Sequence, residues 1–109
     1  MSARNFGVFL LIVSVLCAEA RAQEQGQVAA GRARAQEVCA VCHAVLKGQP
    51  ASPNREAPTF QSVADSPGIN ALALTAFLST PHSSMPNLIL VGQERADLIA
   101  YILSLKTGR

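Results

Sequence analysis

Apolar positions recur along this chain with helical spacing, and no segment shows the sustained alternation of a half-buried strand. From Val28 to Val38 the residues are mostly Ala, Arg, Gln and Glu, all good helix formers. Val28, Ala35, Val38 and Cys39 fall on one face there, with Gly31 and Arg32 beside it, so a second helix could approach this small-residue surface closely. The alternative is a solvated Ala-rich helix with a weak core face. Thr59 is placed to cap a short turn of helix over Phe60–Asp65, with Phe60, Val63 and Ala64 inward. Ser66-Pro67 predicts a further helix start, a capping serine with proline at the first position, running to about Ser79. Its expected inner stripe is Ile69, Leu72, Ala73, Ala76 and Phe77. The last helix is expected over Gln93–Lys106, with Leu98, Tyr101, Ile102 and Leu105 inward. Acidic residues suit its first turns and Lys106 its negative end. Tyr101 offers a ring to sit against the small face near Gly31 and Ala35. The fold class is all-α, with three to four helices.

Two polar, proline-punctuated stretches separate these helices. Lys47–Pro58 holds three prolines and a glycine, which exclude regular structure, and Thr80–Asn87 is the second loop. The start of the chain reads differently. Arg4 and the amino terminus are weakly positive, Phe6–Leu16 is apolar, and Ala20-Arg21-Ala22 is a small-x-small cleavage site. Residues 1–22 are therefore expected to be a cleaved signal peptide, leaving 23–109 as the folded domain. The apolar run is shorter than the about 20 residues a spanning helix needs, so no stable membrane insertion is expected. Leu16 is large where lipidation of Cys17 would want a small residue.

Candidate chemistry is concentrated in Cys39-Ala40-Val41-Cys42-His43. C-x-x-C-H is the attachment signature of a c-type haem. Two thiols on one helical turn can add to the two vinyl groups of a porphyrin, and the next residue supplies an imidazole as axial ligand to the iron. A thioredoxin-like dithiol would want βαβ elements, and none is evident. A zinc site would have only Cys39, Cys42, His43 and His82 to draw on, at poor spacing for a closed tetrahedron. With one haem attached through both cysteines, the cofactor would act as the staple a domain this small needs.

Met85, the one methionine besides the initiator, lies in a polar loop, an odd place for a core filler. Its thioether suits haem iron, so Met85 is the candidate sixth ligand, with His82 as competitor or as a plain surface histidine. Pro58 carries two readings: a loop-ending proline before a helix, or a carbonyl that accepts the hydrogen bond fixing His43. Beyond residue 22, seven basic side chains face six acidic ones, without the basic clustering of a nucleic-acid binder.

These features together resemble a class I cytochrome c over almost the whole domain. Gly31 in a first helix, Cys39-x-x-Cys42-His43 behind it, Ala57-Pro58-x-Phe60, Met85-Pro86, and Leu98 and Tyr101 in a last helix occur in that order. The chain is especially similar to small bacterial single-haem cytochromes ending in an MPNL…ADLIAYILSLK stretch. The resemblance implies an all-α fold wrapped around one covalent haem c. Cys39 and Cys42 are then the thioethers, His43 and Met85 the axial ligands, and Pro58 the acceptor for His43, with the end helices crossing through Gly31 and Tyr101. It implies a periplasmic electron carrier, a monomer and not an enzyme. Its donor would be a dehydrogenase or cytochrome complex, and its acceptor a protein such as a terminal oxidase. An open-coordination haem protein, binding gas or acting like a peroxidase, is the alternative. Two positions depart from the pattern: Ala35 stands where many relatives carry an aromatic, so a less filled crossing is expected, and no tryptophan is present for a haem propionate. The motif's early position argues against the four-helix cytochrome c′ type.

Overall fold

The computed structural model describes residues 26–80, 84, 85 and 88–108. The expected signal peptide and His82 lie outside them. Four α-helices and no strand occur among the described residues: α1 (Val28–Arg34), α2 (Phe60–Asp65), α3 (Ala71–Ser79) and α4 (Gly92–Ser104). No helix among them is long and apolar enough to cross a membrane. The all-α expectation holds.

α1 lies mainly against α4. A Cβ added at Gly31 would run into the Asp97 carbonyl and come within 2.8 Å of Tyr101 Cβ, so the two backbones approach as only glycine allows. Ala35, in the turn that follows α1, is fully buried. Val28, by contrast, is exposed, so the inward face of α1 begins at Gly31. Asp97 also caps the entry to α1, its Oδ1 accepting from the Gln27 backbone N–H at 2.6 Å.

On α4 the expected stripe is inward: Leu98, Tyr101, Ile102 and Leu105 are all buried, joined by Ile99. α2 is capped as its sequence predicts, Thr59 Oγ1 accepting from the Ser62 N–H at 3.0 Å, with Phe60 and Ala64 buried. Its polar side holds the end of α4. Gln61 Nε2 donates to the Leu105 carbonyl at 2.5 Å, and Asp65 accepts from the Thr107 backbone N–H at 2.7 Å and hydroxyl at 2.8 Å.

α3 departs from expectation in both start and face. Ser66 belongs to the end of α2, its N–H bonded to the Val63 carbonyl and its hydroxyl to Ser62 O. Gly68 then takes φ +78°, which breaks any right-handed run from Pro67. The helix begins at Ala71 instead, with Asn70 Oδ1 accepting from the Ala73 N–H at 2.9 Å. Leu74 is its buried residue, while Leu72 is 80% and Phe77 56% exposed. The helix is apolar nearly all round, so spacing alone could not choose between the Leu72–Phe77 stripe and the Leu74–Leu78 one.

Candidate haem-binding site

The motif is delivered by a change of helical pitch. After Arg34 the chain continues as a π-helical turn, Ala35–Cys39, closed by the Ala40 N–H on the Ala35 carbonyl at 3.0 Å. Such single wide turns are frequent at functional sites. The Cys39 carbonyl then accepts from both Cys42 N–H (3.2 Å) and His43 N–H (2.9 Å), which winds the five residues into one tight turn. Both thiols are free, Cys39 buried and Cys42 half-buried. Burial pushes the Cys39 thiol up from its ordinary value, with the Arg34 guanidinium partly opposing it.

His43 is oriented by one strong bond. Its Nδ1 lies 2.7 Å from the Pro58 carbonyl. A carbonyl can only accept, so the proton sits on Nδ1 and the Nε2 lone pair is left for a metal. Phe60 packs on the ring at a centroid distance of 5.4 Å, tilted by 53°.

The backbone behind the imidazole is pinned at successive groups. The Cys42 carbonyl accepts from Asn54 N–H (3.1 Å), and Ala44 donates to Ser52 Oγ (2.9 Å) and accepts from Phe60 N–H (2.9 Å). The Val45 carbonyl accepts from Tyr101 Oη at 2.6 Å. The loop over residues 47–58 is thus a clamp, reached through Ser52, Asn54 and Pro58. Sequence reasoning missed Ser52, Asn54 and the Tyr101 hydroxyl, because nothing local in a sequence pairs residues 8 to 56 positions apart.

Cys39, Cys42, His43 and Pro58 are brought together by this network. Met85 lies half-buried on the segment between α3 and α4, and no hydrogen bond among the described residues joins it to the other four. On either side of Met85 in the chain, large apolar side chains stand in solvent: Leu72 and Phe77 on α3, then Ile89 (81% exposed) and Val91 (62%). Apolar surface of this kind calls for a cover. Paired thiols on one turn and an imidazole whose Nε2 is left for a metal are the donor set that a covalent haem requires.

Residues 28–106, well over half of the chain, match the family model described as Cytochrome c. The chain belongs to the cytochrome c family, haem-based electron carriers whose cofactor is a covalent c-type haem with its iron and which act with redox partners. Comparison with curated proteins and with solved structures gave no match.

Proposed function

We propose that Cys39 and Cys42 would hold the haem through thioethers, that His43 and Met85 would ligate its iron, and that the protein passes single electrons between periplasmic partners. The observation that supports this reading is the 2.7 Å bond from His43 Nδ1 to the Pro58 carbonyl, which leaves the Nε2 lone pair available to a metal. The haem supplies the one-electron couple of its iron. The chain's own residues do the rest.

His43, held in one tautomer and braced by Phe60, offers a strongly donating imidazole. Met85 would offer a soft thioether, a ligand type that raises the potential of haem iron. Phe60 and Leu90 are buried and supply low-dielectric surroundings, and Leu72, Phe77, Ile89 and Val91 would add to them once a haem covers them. Residues 1–22 direct export, after which attachment takes place outside the cytoplasm. The donor fits a periplasmic dehydrogenase or cytochrome complex, and the acceptor a terminal oxidase.

Replacing Met85 tests the closed coordination. Met85→Ala in the haem-loaded protein is expected to lower the reduction potential and open the iron to carbon monoxide. An unchanged spectrum and potential would remove Met85 from the iron.

A further inference from the structure

Tyr101 makes two contacts that no haem ligand requires. Its Cβ sits against Gly31 at the helix crossing, and its hydroxyl crosses to the Val45 carbonyl at 2.6 Å, between residues 4% and 3% exposed. Val45 is two residues past His43. Among the hydrogen bonds that hold the backbone from Cys42 to Val45, those from Asn54, Ser52 and Phe60 come from the loop clamp and the first turn of α2. The Tyr101 bond alone, among the described residues, arrives from α4. It therefore ties the position of His43 to the α1–α4 crossing.

We infer that Tyr101 is a positioning residue for the iron's proximal ligand: its hydroxyl fixes the chain behind His43 so that Nδ1 meets the Pro58 carbonyl squarely. This rests on the reading of His43 as the axial ligand. A short Nδ1–H bond to a carbonyl makes the imidazole a stronger donor, which favours ferric iron and lowers the potential. Without the Tyr101 hydroxyl the segment loosens, the bond weakens, and the potential rises.

The test uses the haem-loaded protein with Tyr101→Phe, which keeps the ring against Gly31 and removes only the oxygen. Ile102→Val, one residue on and equally buried, is the control for plain destabilisation of α4. Two quantities are read: the reduction potential and the hydrogen-exchange rate of the His43 ring N–H. Tyr101→Phe is expected to shift the potential upward and speed exchange several-fold. Ile102→Val is expected to lower the melting temperature with potential and exchange unmoved. No shift in Tyr101→Phe, or equal shifts in both variants, would overturn the assignment. Failure of the electron-carrier reading shows separately, as carbon monoxide binding by the unsubstituted protein.

Discussion

Gly31→Ala probes the crossing on which the whole fold closes. The added methyl would meet the Asp97 carbonyl and Tyr101 Cβ, the first of which is backbone of α4 and cannot swing aside. Overpacking costs about 1–3 kcal/mol, and an obstacle made of backbone places this case near the upper end. Against it stands the better helix propensity of alanine, about 1 kcal/mol over glycine. The net loss is about 2 kcal/mol. For a domain of this size each kcal/mol moves the melting temperature by about 4–8 °C, so the variant should melt about 8–16 °C lower. The assay is thermal unfolding of the haem-loaded protein followed by far-ultraviolet circular dichroism. A variant that melts within a degree or two of the parent, or above it, would show that α1 and α4 have room to spare and would refute the close approach.

Two further outcomes are expected. Asp65 is held below the usual carboxylate range, first by the Thr107 backbone N–H, then by the Gln61 amide and the Thr107 hydroxyl. Its folded value thus lies below its unfolded one, so its contribution to stability is present above about pH 3.9 and is lost as pH falls through the folded value. Asp65→Ala should therefore lower the urea midpoint at pH 7, with a gap that narrows on acidification toward about pH 2; an equal gap at both would refute the sign. Electron transfer to a charged partner should depend only modestly on salt, since the domain's opposite charges nearly balance and form no basic cluster. A steep loss of rate with added salt would contradict this.

Much of the fold is legible in the residues because local chemistry decides it. Thr59 caps α2 by a bond three residues long, and α4 has one apolar face against charged flanks, so only one stripe can be inward. Gly31 and Tyr101 announce a close crossing by size alone. α3 was not legible: its surface is apolar on most sides, Ser66 and Asn70 both suit a cap, and Gly68 decides between them through a backbone angle no pattern displays. In the site, the spacing of Cys39, Cys42 and His43 carries the chemistry. The π turn before Cys39, the Ser52 and Asn54 bonds and the reach of Tyr101 to Val45 depend on tertiary closure. Pro58 serves in both of its readings, preceding the Thr59 cap and giving its carbonyl to His43.

The most direct measurement is the visible spectrum of the protein matured with covalent haem, oxidised and reduced, before and after carbon monoxide. Ligation by His43 and Met85 predicts a methionine–iron charge-transfer band in the oxidised form and a reduced spectrum that carbon monoxide leaves unchanged. A carbon monoxide adduct would contradict the closed coordination and make the protein one that binds ligands at its iron.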